Sequence, residues 1–210
     1  MKILLINGSP HEKGCTYTAL CEIADTLKAE GVDSEILHVG TDPVRGCIGC
    51  GTCFRTRSRR CVFADDLVNV ALDKMMECDA LVVGSPVHYA SASGPITSLL
   101  DRMFYAGSRD LRGKVGAAIV SARRAGTTAA LDQLQKYFVI AGMPLAPSQY
   151  WPMVHGNTPD QVKQDEEGMQ TMRTLARNIA FMTKVFALAK EQGIMPPELE
   201  KEKKFTNFIR

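Results

Sequence analysis

Residues 1–31 read MKILLINGSPHEKGCTYTALCEIADTLKAEG. Ile3 to Ile6 form a continuous apolar run ended by Gly8 and Pro10, which suits a strand buried on both faces of a sheet. The period then changes. Leu20, Ile23, Ala24 and Leu27 fall at i, i+3, i+4 and i+7, an apolar helical stripe, and Gly31 follows where a C-cap glycine belongs. The order is strand, turn-rich loop, helix.

That unit recurs. Ser34 to Val39, Ala80 to Gly84 and Lys114 to Ser121 read as further strands, the last two followed by helical stretches from about Gly94 and Thr127. Strands alternating with helices predict a doubly wound α/β parallel sheet with helices on both faces. Ligands of such sheets sit beyond the carboxyl ends of the strands, so the loops after the strands are the ones to read. A long helical pattern from about Asp160 to Lys190 carries Leu175, Ile179, Met182, Phe186 and Ala189 on one stripe, for packing against the sheet and in part for a subunit contact. The chain divides into a single domain over 1–195 and a charged tail over 196–210, whose Phe205, Phe208 and Ile209 either dock on a partner subunit or stay loose.

Composition limits the function classes. The 210 residues are 45% apolar and 23% charged with a formal net charge of +2, which predicts no bulk affinity for nucleic acid or membrane. The apolar run at the N-terminus is too short for a signal-peptide core or a membrane span, so a cytoplasmic protein with reduced thiols is expected. There, seven cysteines read as metal ligands or free thiols before they read as a disulfide framework.

After the first strand, NGSPHEKGCTYTAL brings Ser9, His11, Thr16 and Thr18 to the start of a helix, where backbone N–H groups, the helix dipole and hydroxyls can hold a phosphate. A Walker loop is excluded by spacing, since five residues separate Gly8 from Gly14 and Cys15 follows; a GxGxxG fingerprint is also missing at this strand end. Thr16 as a plain helix N-cap is the competing reading. After the third strand, GSPVHYASASGPITSLLDR sets Pro86, His88 and Tyr89 beside small residues, leaving room for a planar ring. After the fourth, SARRAGTTAAL places Arg123 and Arg124 at the mouth. Together the loops describe one pocket with a phosphate end and a flat end.

These three loops resemble the flavin loops of the flavodoxin-like NADPH-dependent FMN reductases, over about residues 1 to 150. The resemblance implies a flavodoxin-like five-stranded sheet in the order 2-1-3-4-5, non-covalent FMN, and a homodimer or homotetramer. Carried over by position, Ser9, His11, Cys15, Thr16 and Thr18 would hold the FMN phosphate; Pro86, Val87, His88, Tyr89, Ala90 and Ser91 would line the isoalloxazine, with Ser121, Arg123 and Gly126 closing its other side. One departure stands out. Where the family reads Gly-Asn-Thr this chain has Gly14-Cys15-Thr16, so an amide donor to the phosphate is replaced by a thiol.

The stretch GCIGCGTCFRTRSRRC, residues 46–61, places Cys47, Cys50 and Cys53 at intervals of three and Cys61 after seven more residues, four of them arginine. It resembles the compact motif of the iron-sulfur flavoproteins, which bind a 4Fe-4S cluster beside FMN. Three thiolates at i, i+3 and i+6 can wrap a cluster in a tight loop, with Gly46, Gly49 and Gly51 letting the backbone bend and a fourth thiolate closing the set. Zinc and unligated redox-active thiols are the other readings. Cys21 and Cys78 read as buried structural thiols. RTRSRR suits the 2′-phosphate of NADPH, the acidic surface of a small electron carrier, or a solvated loop.

The function implied is an FMN-dependent oxidoreductase passing electrons between NADPH or NADH and a flavin, quinone, nitroaromatic or protein acceptor. No protein general acid or nucleophile is needed, because the flavin carries the chemistry. Two further readings stand beside it: an iron-sulfur flavoprotein exchanging electrons with ferredoxin, and a non-catalytic flavodoxin-like carrier or redox sensor.

Overall fold

Strand β1 (Lys2–Asn7) is apolar on both faces because both are covered. Leu4 and Ile6 enter one core with Leu72, Leu81, Leu100 and Leu131, while Ile3 and Leu5 enter a second core with Leu20, Ile23, Leu175 and Ile179. The structure is a computed structural model describing residues 1–200, 202, 204 and 206. The chain runs β1, α1 (Cys15–Ala29), β2 (Asp33–His38), α2 (Thr52–Thr56), α3 (Val68–Met76), β3 (Ala80–His88), β4 (Ser91–Ala92), α4 (Gly94–Leu111), β5 (Val115–Ala122), α5 (Thr127–Ile140), β6 (Met153–His155), α6 (Pro159–Gln164) and α7 (Glu166–Glu191).

The parallel strands lie in the order β2-β1-β3-β5-β6. This is the expected 2-1-3-4-5 arrangement with one addition, the two-residue β4, which turns back antiparallel on the end of β3 through Val87↔Ala92 and His88↔Ser91. The register Ile3↔Ala80 and Ala80↔Val115 aligns the starts of β1, β3 and β5, and at the other edge β3 and β5 run past Asn7, the end of β1. Alternation then sorts the core. Leu81 and Val83 of β3 and Ala118 and Val120 of β5 face α3, α4 and α5; Ala80, Val82, Ala117 and Ile119 face α1 and α7. Each fully buried aliphatic side chain contributes roughly 1.5–3 kcal/mol, so the two cores hold the edge loops on a rigid base.

Three segments depart from the sequence-based expectation. Strand β3 continues through Ser85, Pro86, Val87 and His88, four residues past the expected end at Gly84, because β5 and then β4 supply partners for it. The fifth parallel strand of the expected order, to which the sequence assigned no residues, is split: Leu145 bridges Gly116, and after an interruption β6 pairs beside Val120. The helix expected over 160–190 is two helices, broken at Asp165, whose Oδ1 caps Gly168 N at 3.0 Å and whose Oδ2 accepts from His155 N at 2.6 Å. The short α2 and the nine-residue α3 were also not anticipated. The tail residues Phe205, Phe208 and Ile209 lie outside the described residues. Among the described residues no helix is long and apolar enough to cross a membrane.

Candidate flavin and cysteine sites

The loop after β1 is held from four sides. Asn7 turns it locally, with Oδ1 accepting from Ser9 N at 3.1 Å and Nδ2 donating to Glu12 O at 3.0 Å. Gly8 N donates to Gly84 O at 2.8 Å, and Ser93 Oγ donates to Gly8 O at 2.7 Å. His38, at the end of β2, hydrogen-bonds Ser9 O through Nε2 at 2.8 Å, an anchor the sequence reading missed. Gly8 is required here, because a Cβ would lie 2.7 Å from Ile96 Cβ and 2.9 Å from Gly84 O.

At the end of this loop α1 opens with Gly14 as N-cap, no side chain bonded to its first N–H groups and no acid in its first turn. Helices α4 and α5 open at the same edge in the same way, with Ser93 and Gly126 as N-caps. The five-residue α2 also opens without a side-chain cap or an acid, but inside the cysteine loop and away from these strand ends; the other helices differ. Asp66 accepts from Val68 N at the start of α3; Thr158 and Asp165 cap α6 and α7, which carry Asp160, Glu166 and Glu167 in their first turns. Open, acid-free N-termini are therefore gathered around the ends of β1, β3 and β5, where the orphan N–H groups and dipoles favour an anion.

Among the expected phosphate residues, Ser9 is buried and its Oγ accepts from His11 N at 3.1 Å, while His11 itself is exposed. Thr16 is not the N-cap. Its Oγ1 sits 2.8 Å from Ser121 Oγ, and both residues are buried, so this hydroxyl pair ties α1 to the end of β5. Thr18 Oγ1 donates back to Gly14 O at 3.1 Å, and Cys15 Sγ lies 3.6 Å from Gly156 O. Burial pushes the Cys15 thiol up from its ordinary value, so it stays protonated.

The flat end is a hairpin. Tyr89 (φ 50°) and Ala90 (φ 59°) make a two-residue turn of the kind that needs positive φ at both positions, which is usually given to Asn and Gly. Each costs about 1–2 kcal/mol in a residue with a Cβ, and such strain gathers at functional sites. Gln133 of α5 clamps the hairpin, its Oε1 accepting from Ser91 Oγ at 2.8 Å and Ala92 N at 2.9 Å. Across from it Gly126 (φ 91°) leaves no room for a side chain, since a Cβ would lie 2.8 Å from Ala90 Cα. Tyr89 and His88 project into solvent, Pro86 and Val87 are half-buried, and Arg123 is exposed at the rim.

The four motif thiols come together. Cys47, Cys50, Cys53 and Cys61 line one cavity of about 80 Å³ together with Val62, Phe63 and, from α4, Arg102 and Tyr105. Gly49 and Gly51, both at φ 66°, give the loop its bends. Cys61 is the most firmly placed: Asn69 Oδ1 accepts from its N–H at 2.8 Å, Asn69 Nδ2 donates to its carbonyl at 3.1 Å, and Arg102 Nε donates to its Sγ at 3.1 Å. Thr52 and the charge of Arg55 draw the Cys50 thiol below its ordinary value, while burial and then the neighbouring thiols push Cys53 up. Among the described residues no three His, Cys, Asp or Glu side chains are arranged to hold one metal ion. Of the remaining cysteines, Cys78 is buried as expected and Cys21 is only half-buried.

The loop arginines are mostly spoken for. Arg59 pairs with Asp110 at 2.9 Å, Arg60 with Asp73 at 2.5 Å, and Arg55 donates to Cys50 O at 2.8 Å. Arg57 has no such partner among the described residues.

Residues 1–158 match the model of the NADPH-dependent FMN reductases. An iron-sulfur flavoprotein of Methanocaldococcus jannaschii is 30% identical over 199 residues, 88% of this chain and 98% of that protein. An iron-sulfur flavoprotein of Archaeoglobus fulgidus is 32% identical over 193 residues, 85% of this chain and 94% of that one. In fold alone, an archaeal flavodoxin superposes with a TM-score of 0.59 at 17% identity, covering 88% of this chain and 99% of the flavodoxin. A parallel sheet with three open helix N-termini at its edge, and four thiols around one cavity beside it, thus belongs to a chain of the NADPH-dependent FMN reductase family whose archaeal relatives are iron-sulfur flavoproteins.

Proposed function

We propose that the protein is an FMN-dependent oxidoreductase in which Cys47, Cys50, Cys53 and Cys61 hold a 4Fe-4S cluster. The observation that carries the reading is the convergence of all four motif thiols on one cavity of about 80 Å³. Thiolates suit iron-sulfur clusters, and four of them around such a space fit a multi-iron group better than a single zinc ion, which needs its ligands drawn close around one point. When bound, FMN supplies two-electron hydride chemistry and the cluster one-electron transfer.

The chain's own part is binding and orientation. Open N–H groups of α1, with Ser9 and the exposed His11 beside them, receive the FMN phosphate. The thiol of Cys15 stays protonated and turned to Gly156, so the amide missing from this position is replaced by backbone donors. Pro86, Val87 and the strained Tyr89-Ala90 turn form one wall for the ring, and Gly126 with the loop of Arg123 forms the other. The electron donor is a reduced nicotinamide or, at the cysteine loop, a ferredoxin-type carrier; the protein works as a homodimer or homotetramer.

Anaerobic purification followed by iron, sulfide, zinc and FMN analysis tests the reading. It expects about four irons, four sulfides and one FMN per chain, with a broad absorption shoulder beside the flavin bands. Flavin without iron would leave an FMN reductase with a thiol loop, and zinc without sulfide would replace the cluster outright.

A further inference from the structure

Arg102 is an arginine on the inner face of α4, between Leu99, Leu100 and Met103, and it is only 2% exposed. A buried guanidinium is costly unless every donor is satisfied, and here each branch has a partner. Nε donates to Cys61 Sγ at 3.1 Å, Nη1 to Arg45 O at 3.0 Å and to the Asp66 carboxylate, and Nη2 to Phe63 O at 3.1 Å. Its fork therefore grips both ends of the cysteine loop, the backbone at Arg45 before Cys47 and at Phe63 after Cys61. No other charged side chain of the sheet-covering helices reaches a motif thiol among the hydrogen bonds of the described residues.

We propose that Arg102 is the positioning residue of the cysteine site: it fixes the loop ends, and through its N–H bond to Cys61 Sγ it raises the reduction potential of the cluster held there, with Asp66 limiting the effect. This rests on the cluster reading above. A donor to a ligating sulfur withdraws electron density and favours the reduced state, and hydrogen bonds to sulfur are among the determinants of cluster potential. Asp66 opposes it because its carboxylate, itself 6% exposed at the side chain, balances most of the guanidinium charge. Axially, Arg102 stands eight residues along α4 from Gly94, about 12 Å at a rise of 1.5 Å per residue, so one rigid helix links the cysteine loop to the loop after β3.

The pair gives a signature that loss of packing does not. Arg102→Gln removes the charge and the Nε donor and is expected to lower the one-electron midpoint by at least 59 mV, a tenfold change in the equilibrium. Asp66→Asn leaves the guanidinium charge unopposed and is expected to raise it. Potentials are read by redox titration of the anaerobic protein, beside iron, sulfide, FMN and melting temperature for each variant. An Arg102→Gln protein that keeps FMN and folds but loses iron supports the positioning role. Variants with full iron whose midpoints equal the wild type, or move in the same direction, overturn the proposal while leaving the cluster intact. Should Arg102→Gln fail to fold, an unchanged midpoint in Asp66→Asn overturns it alone. A wild-type protein without iron and sulfide overturns this proposal and the cluster reading together.

Discussion

Ser93 and Gly8 are 85 residues apart and buried, and Ser93 Oγ donates to Gly8 O at 2.7 Å. This bond joins the loop after β1 to the start of α4, while Ser93 N donates to Ser85 Oγ at 2.9 Å and closes the loop after β3 on itself. Two loops that follow different strands are thereby one unit.

Replacing Ser93 with alanine leaves the Gly8 carbonyl buried and short of a donor, which costs about 1–3 kcal/mol. The expected result is a melting temperature lower by roughly 2–10 °C for a chain of this size, and FMN bound more weakly. Thermal melts with and without FMN check it; an unchanged melt in both would mean the bond carries no weight.

Ala90 sits at φ 59° in the hairpin turn. Glycine there loses the left-handed penalty of about 1–2 kcal/mol and gives back about 0.5–1 kcal/mol of chain entropy, so Ala90→Gly should stabilise slightly, by a degree or two in the melt. Gly126→Ala should do the reverse, since φ is 91° and its Cβ would press on Ala90 Cα from 2.8 Å. We expect at least tenfold weaker FMN binding from the second change, measured by fluorescence quenching on titration. A Gly126→Ala protein that binds FMN normally would mean that this wall does not touch the ring.

The periodicity of residues 3–6 and 20–27 was enough to place β1 and α1, because an apolar run and a helical stripe follow directly from two-sided burial. The three edge loops were legible for the same reason: their small and polar residues interrupt strong patterns. What escaped was set by tertiary partners. Gly14 opens α1 in place of Thr16 because the Thr16 hydroxyl has gone to Ser121, 105 residues away. His38, Gln133 and Asn69 look like ordinary polar residues until the fold brings them to Ser9, the hairpin and Cys61. Arg102 alone had a signal, a charge on the apolar stripe of α4 where a hydrophobe belongs.

Acid should weaken the fold through two carboxylates. Lys74 and Lys2 hydrogen-bond Glu35 and hold it below its ordinary 4.5. Burial works to raise Asp66, but the Arg102 hydrogen bond, the Val68 N–H and the guanidinium charge together outweigh it and hold it below 3.8. In both cases the folded state binds fewer protons near pH 4 than the unfolded one. Their stabilisation is thus fully present above those ordinary values and is lost as pH falls through the lowered folded ones. Denaturant melts from pH 6 to pH 3 should steepen in this window, and Glu35→Gln should flatten the slope by a small amount, its pairs being partly exposed. A slope unaffected by that change would remove Glu35 from the account.

The arginine loop makes a separable prediction about the nicotinamide. Arg59 and Arg60 are held by Asp110 and Asp73, and Arg109 stacks over Phe54 with its guanidinium carbon 5.4 Å from the ring centroid, so these charges fasten the cysteine loop to α3 and α4. Exposed pairs of this kind are worth up to about 1 kcal/mol, and Arg59→Ala or Arg60→Ala should lower the melting temperature slightly without changing nucleotide preference. Arg55 is in no ion pair but is held by Cys50 O and Thr52 Oγ1. Arg57 differs: it stands exposed at φ 52° without a partner among the described residues, able to meet a 2′-phosphate without first breaking an ion pair or a hydrogen bond. Arg57→Ala is therefore expected to raise KM for NADPH several-fold while KM for NADH, iron content and melting temperature stay put. If KM for NADPH does not move, the loop takes no part in reading the 2′-phosphate, and its charge serves only to hold the loop in place and to balance the thiolates it surrounds.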